Sequence, residues 1–344
     1  MRGWMRGLTV AAALAGLAQA AAAQDPAQFY KGRNVDIIVA SPPGGGFDAY
    51  ARILARHMGR HLPGAPNFII KNLVGAGGRN ATTFLAEVAP RDGSVILSNQ
   101  PGALVEQVLG DAKGILYDPL SFKYIGSLES FTALCLLRTD ATVKSYAELM
   151  QTPAIFGGDQ IGSTTYDHTL MFKNIGGAKM KLVTGYKGTT DLVLAVKRKE
   201  IEGFCGYAWS SLFSRSPDLI NDRIVRMIVQ LAITPHPEAA KAGVPIIWDF
   251  VKDETNRKAI ELIATVQEFG RPFLVHGAVP ADRVAALRAA FDATVKDPEY
   301  DAEIRKTQLD NSPITGAKVE ELLRRVIDAP KEIQAKARWA ISTE

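Results

Sequence analysis

At 344 residues the chain is long enough for two α/β units of about 100–200 residues each. Its 47% hydrophobic and 22% charged residues are ordinary values for a soluble globular protein. The net charge is only +4, and no segment combines clustered Lys and Arg with interleaved aromatics, so nucleic acid is excluded as an expected partner.

Arg2 and Arg6 precede an apolar run over residues 8–23 that ends in small residues, Ala18-Gln19-Ala20 and Ala21-Ala22-Ala23. That is the n-region, h-region and A-x-A-like site of a signal peptide over residues 1–23, with cleavage before Gln24. The run is shorter than the roughly 20 apolar residues a spanning helix needs, which argues against a retained anchor. Removing Arg2 and Arg6 takes the charge from +4 to +2. The expected product is an exported, soluble periplasmic protein. Export permits a disulfide, and the chain has two cysteines, Cys135 and Cys205. Both sit in apolar, strand-like runs (residues 134–137 and 204–207), and the residues themselves favour two buried free thiols.

After a short polar leader over residues 24–33, residues 35–40 form a β-branched apolar run that stops at Ser41-Pro42-Pro43-Gly44-Gly45-Gly46. Ala51, Leu54, Ala55, Met58 and Leu62 then recur at helical spacing, with Arg52, Arg56 and Arg60 on the other face. The unit reads as strand, glycine loop, helix, with Asp48 at the cap or in the first turn, where a carboxylate suits the helix dipole. Residues 68–73 repeat the pattern into Val74-Gly75-Ala76-Gly77-Gly78 and a helix through Val88. Residues 94–98 form a further strand ending at Asn99-Gln100-Pro101-Gly102. A second set follows: a strand over 155–158 before Gly162-Ser163-Thr164-Thr165, and one over 181–184 before Gly185-Tyr186-Lys187-Gly188. Strands over 201–207 and 225–233 come next, then helices over 281–295, 298–308 and 319–327. Such alternation predicts mostly parallel sheets in two lobes with two crossings between them.

Ligands of open parallel sheets bind at the carboxyl ends of strands, where loops feed helix N-termini. Glycine there lets backbone N–H groups approach a ligand, and the dipole favours a carboxylate or phosphate. Gly44-Gly45-Gly46, Gly162-Ser163-Thr164 and Tyr186-Lys187-Gly188 are the candidate loops; taken singly, each could equally be a tight turn. Enzyme motifs are missing from the sequence: no G-x-x-x-x-G-K-[ST], no G-x-G-x-x-G in the glycine loops, no G-x-S-x-G, C-x-x-C or H-E-x-x-H. His57 and His61 stand i, i+4 on a helix without a third metal ligand nearby and read as a solvated face. Lys197-Arg198-Lys199 reads as a solvated helix end. No catalytic residue, metal or cofactor is expected.

The ordered set Pro42-Pro43-Gly44-Gly45-Gly46-Phe47-Asp48, Ala51-Arg52 and Asn72-Leu73-Val74-Gly75-Ala76-Gly77-Gly78 resembles the opening of the Bug family. These are the extracytoplasmic binding proteins of tripartite tricarboxylate transporters. The likeness continues through Ala89-Pro90-Arg91-Asp92-Gly93, Tyr117-Asp118-Pro119, the 162–165 and 185–188 loops, and Val279-Pro280-Ala281-Asp282. It implies a type II-like periplasmic binding protein: two Rossmann-like lobes, a ligand cleft and two hinge crossovers. Lobe 1 is expected over 24–125 plus 232–344 and lobe 2 over 126–231. The resemblance implies a small organic carboxylate held by Pro43, Gly44, Gly45, Gly46, Phe47 and Asp48 from one lobe. Gly162, Ser163, Thr164, Thr165, Tyr186, Lys187, Gly188 and Tyr207 would hold it from the other. It also implies that the strands of Cys135 and Cys205 lie side by side, which favours a disulfide more than the residues alone do.

Three positions depart from the family pattern. Phe47 replaces a small hydroxyl residue, which fits either an apolar ligand body or inward packing. Asp191 replaces a proline and either pairs a ligand ammonium or serves as a first-turn acid. Arg198-Lys199 replaces Gly-Gly at a surface turn. The implied function is capture of the carboxylate for separate inner-membrane transporter subunits, by a monomer. Presentation of the loaded form to a receptor kinase is a second possibility. An exported enzyme using Asp48 with Lys187 or His168 as acid and base is a third.

Overall fold

The computed structural model describes residues 25–110 and 113–343; the expected signal peptide lies outside them. In chain order the first strands are β1 (Asn34–Val39), β2 (Asn67–Asn72), β3 (Val95–Ser98), β4 (Lys123–Ser127), β5 (Ala133–Arg138) and β6 (Ala154–Gly157). They are followed by β7 (Met180–Val183), β8 (Gly203–Ala208), β9 (Val225–Leu231), β10 (Pro272–Val275) and β11 (Ile314–Thr315). Two sheets result, ordered β11-β4-β10-β3-β1-β2 and β7-β6-β8-β5-β9. The chain leaves the first sheet after β4 and rejoins it at β10, so each lobe is an α/β unit built on its own sheet.

Register explains why the loops gather. Val39 pairs with Asn72 on one side and Ser98 on the other, so β1, β2 and β3 end level. In the second sheet Gly157 pairs with Val183, so β6 and β7 also end level. The chain therefore emerges from several strand ends at one edge of each sheet, which is where a ligand crevice forms. β1 is buried on both faces: Val35, Ile37 and Val39 join the cluster of Tyr50, Ile53 and Leu54, while Ile38 joins that of Leu97 and Leu104. That explains its continuous apolar run. The latter cluster runs on through Phe131 and Ala133 to Leu137 and Phe172, so the two sheets share apolar packing across the crossover.

Four expectations need correction. The sheets are mixed: β5 pairs antiparallel with β8 and β9, and β10 pairs antiparallel with β3 and β4. Strands that arrive by crossing between lobes need no βαβ handedness and enter in either direction. The segment read as a polar leader contains the helix Pro26–Tyr30, capped by Asp25, whose carboxylate accepts the Ala27 N–H; Phe29 and Tyr30 are buried. Cys135 and Cys205 are not free thiols but a disulfide joining β5 to β8. Finally, His57 and His61 do not face solvent alone. The helix Pro298–Lys306 packs over them, with His57 Nε2 2.7 Å from Glu303 and His61 Nε2 2.7 Å from Asp297. Among the described residues no group of His, Cys, Asp and Glu is arranged to hold a metal, and no helix is long and apolar enough to cross a membrane.

Candidate functional site

The helices Gly46–Met58, Pro101–Leu109, Thr164–Asn174 and Thr189–Lys197 begin at the strand ends just described. Gly46, Thr164 and Thr189, the first residues of three of them, and Gln100, just before the fourth, meet between the lobes around a cleft of about 220 Å³. Its walls are Ser41, Pro42, Pro43, Gly45, Gly46, Phe47 and Gln100 from the first lobe. From the second come Asp159, Thr164, Lys187, Gly188, Thr189, Thr190 and Asp191. Unsatisfied N–H groups and dipole ends of three helices (at Gly46, Thr164 and Thr189) thus reach one small space, a setting suited to an anion.

Of the fourteen residues expected to bind ligand, seven line this cleft: Pro43, Gly45, Gly46, Phe47, Thr164, Lys187 and Gly188. The others stand behind it. Asp48, 3% exposed, is turned away: Oδ2 accepts from the Gly44 N–H and Arg52 Nε, each at 2.9 Å, and Oδ1 from Asn72 Nδ2 at 3.0 Å. Burial pushes its carboxyl up, but the Arg52, Gly44 and Asn72 donors together hold it below the usual carboxylate value. Asp48 is thus a brace for the glycine loop. Ser163 caps the helix that starts at Thr164, and Thr165 bonds back to the Asp159 carboxylate. Gly162 lies at the lobe contact, where a Cβ on Gly102 would overlap its carbonyl. Tyr186 packs on the core of the second lobe. Tyr207 is buried, its hydroxyl 3.0 Å from Ser216 Oγ, because its position in β8 points it away from the cleft. Gly44 (φ +86°) contributes its backbone to the lobe contact: its carbonyl accepts from Arg215 at 2.9 Å.

Gln100 and Asp159 were missed by the sequence reading. Gln100 reaches back to the Ala40 carbonyl at 3.1 Å, tying two strand ends together. Its signal was a strand running into Asn-Gln-Pro-Gly. Asp159 has no motif of its own. Behind the cleft, Glu129 and Arg271 form a buried pair at the crossovers, 0% and 4% exposed and 3.0 Å apart. The angle falls outside hydrogen-bond geometry, since Glu129 Oε2 and Arg271 Nε lack a hydrogen-bond partner among the described atoms. Burial raises the Glu129 carboxyl, opposed by Arg271 and Ser210. The Arg271 guanidinium lies 4.2 Å from the Phe47 ring centre, so Phe47 is half-packed on a cation and half-open to the cleft. Gly46 must lack a side chain here, because a Cβ would stand 2.6 Å from Ser211 Oγ and 2.8 Å from Arg271. A larger cavity of about 800 Å³ lies beside the Gly102–Gly162 contact, lined by Val105, Leu109, Ile263 and Val266. Of the expected residues only Gly162 and Thr164 reach it, so the smaller cleft is the candidate site.

No protein-family model matches the chain. A stretch of 78 residues, 23% of this chain, is 35% identical to a UPF0065 protein from the tcbD-tcbE intergenic region of Pseudomonas sp. (strain P51). The match spans only 22% of that relative's length. Among solved structures, R. palustris Rpa4515 with adipate is similar over 89% of this chain and 97% of its own, with a TM-score of 0.70 and 19% identity. The periplasmic binding protein BugD is similar over 90% of this chain and 98% of its own, with a TM-score of 0.69 and 20% identity. MatC (Rpa3494) from Rhodopseudomonas palustris with bound malate covers 90% and 99%, with a TM-score of 0.68 and 18% identity. The chain has the two-lobed α/β fold of these periplasmic binding proteins.

Proposed function

We propose that the chain is a periplasmic solute-binding protein of the Bug type that captures a small organic carboxylate and delivers it to the membrane subunits of a tripartite tricarboxylate-type transporter. The observation that carries this reading is the meeting of three helix N-termini, at Gly46, Thr164 and Thr189, in one cleft between two lobes. Backbone donors and dipoles there neutralise a carboxylate without a catalytic group. The malate bound in one similar structure and the adipate with another support the ligand class. Lobes over 24–125 plus 232–344 and over 126–231, and export to the periplasm, belong to the same reading. Lys187, on the cleft wall, adds a cation that suits the same ligand class.

A thermal-shift screen of the processed protein against aliphatic, aromatic and amino carboxylates tests it. A ligand present at 100 times its Kd stabilises the folded state by about 2.7 kcal/mol and raises Tm accordingly. A shift with one carboxylate class supports capture. A flat panel, together with no carboxylate released on denaturation as read by mass spectrometry, sinks it.

A further inference from the structure

One acid in the cleft has no role in binding a carboxylate. Asp159 lies in the loop between β6 and the helix Thr164–Asn174 and is 9% exposed. Its Oδ1 is filled: it accepts from the Gln160 N–H at 2.9 Å, the Thr165 hydroxyl at 2.6 Å and the Ser163 hydroxyl. Its Oδ2 takes no hydrogen bond from any described residue, and it is not among the polar atoms sealed from solvent. No Lys, Arg or His among the described residues pairs with it. The three donors fix the carboxyl plane, so the open oxygen is held in place rather than left to swing.

A buried carboxylate without a cation is costly, and closing two lobes over it removes more water. Burial already raises Asp159 to about 6 in spite of its donors. A second carboxylate placed near it would add like-charge repulsion, whereas a cation would relieve the deficit. Asp191, the other acid of the cleft, is partly exposed and accepts the Lys187 N–H at 3.2 Å, as a first-turn acid does. Asp159 is the deeper of the two, and the one whose free oxygen is held in a fixed plane.

We propose that Asp159 is the subsite for a cationic amino group, so that the captured ligand is an amino carboxylate rather than a plain dicarboxylate. This rests on the carboxylate-capture reading above. The ligand's carboxylate lies over the helix N-termini at Gly46 and Thr189, and its ammonium donates to Asp159 Oδ2.

The test is calorimetric, on the processed protein, with amino acids and their des-amino partners: glutamate with glutarate, aspartate with succinate, phenylalanine with 3-phenylpropanoate. At pH 7.5 the amino member of one pair binds at least about tenfold tighter, the difference one charge-assisted hydrogen bond supplies. In Asp159→Asn that ratio collapses to within about threefold. The pH dependence of the unmutated protein is an independent arm if the variant does not fold. The preference declines about tenfold as pH falls from 7 to 5, because protonated Asp159 no longer attracts a cation. Nearby charges are Asp167 and Glu106, Arg79, Lys173 and Lys181 in the adjoining pocket, and Lys187 and Asp191 in the cleft. His168, held down to about 3 by burial, stays neutral throughout that range. Equal or tighter binding of the des-amino members, or a preference that survives in Asp159→Asn, overturns the subsite and leaves carboxylate capture standing. Binding of no member of any pair overturns the amino-carboxylate subsite alone; capture itself is decided by the wider carboxylate panel and the released-ligand analysis.

Discussion

Arg215, the last residue of the helix Trp209–Arg215 in the second lobe, donates through Nε and Nη2 to the Gly44 carbonyl of the first, at 3.0 and 2.9 Å. The acceptor belongs to the glycine loop whose next residues line the cleft. The lobes are therefore tied at the ligand loop itself, by a bond that separating them would break. Arg215 is exposed, so the tie is worth about 0.5–1.5 kcal/mol, the net value of an ordinary hydrogen bond. Replacing it by Ala should speed ligand release roughly 3- to 10-fold by stopped-flow. The melting temperature of the empty protein should hardly move. An unchanged release rate would mean that closure is held elsewhere.

Asp48 organises the same loop from behind. Asp48→Ala leaves the Gly44 N–H and Asn72 without their acceptor and should cost about 1–3 kcal/mol in denaturant unfolding. Ligand affinity should fall with it, because Gly44–Gly46 lose their brace. Folding lowers this carboxyl's pKa, so its contribution is present above the unfolded value of 3.8 and is lost as pH falls through the lower folded value. Affinity lost without any loss of stability would return Asp48 to direct ligand contact.

The glycine loops were legible because they need no tertiary information: an apolar strand, a Gly-rich stop and a helical period place a helix N-terminus at a strand end. The cleft's backbone followed from that, through Pro43, Gly45, Gly46, Thr164 and Gly188. Side-chain roles did not follow. His57 looked solvated since its partner Glu303 lies 246 residues away. Tyr207 was placed in the cleft by the family resemblance, but a register shift in β8 around Gly206 (φ +76°) breaks the period-2 alternation and brings its ring to the side of Leu134 and Phe204. Asp159 went unread because it carries no motif; its setting depends on Ser163 and Thr165 folding back onto one of its oxygens. The strand Pro272–Val275 and the helix Glu254–Thr265 were overlooked, although the Asp253 cap, which accepts the Asn256 N–H, is a readable helix start.

The disulfide closes a long loop. Cys135 and Cys205 are 70 residues apart in sequence and both fully buried. Chain-entropy arguments for a loop of that size give about 4 kcal/mol of stabilisation through the unfolded state. The Cys135→Ala, Cys205→Ala double variant should lose up to that amount in guanidinium unfolding while still binding the ligand of the parent, since neither cysteine lines the cleft. Loss of binding in a variant that remains folded would show that the β5–β8 link sets the site geometry.

The last prediction follows from the raised carboxyl of Asp159. Its folded value of about 6 stands above the 3.8 of the unfolded chain, so between these values the folded state holds the extra proton. Stability from this group therefore falls as pH rises from about 4 to 6 and stays low above, by at most about 3 kcal/mol at 1.36 kcal/mol per unit. His168, lowered from 6.5 to about 3, works in the opposite sense: the unfolded chain takes up the proton first, and stability falls as pH drops below 6.5. In the parent protein the two largely cancel between pH 4 and 6. Asp159→Asn removes one of them. The empty variant should be more stable than the parent at pH 7.5, by up to about 3 kcal/mol more than any difference at pH 4, and should lose stability more steeply on acidification. Urea unfolding at pH 4, 5, 6 and 7.5 reads both slopes. Parallel curves for the two proteins would mean that Asp159 is not strained in the folded state. A gain at neutral pH would mark it as an acid kept in the cleft at the expense of stability, as groups at functional sites are.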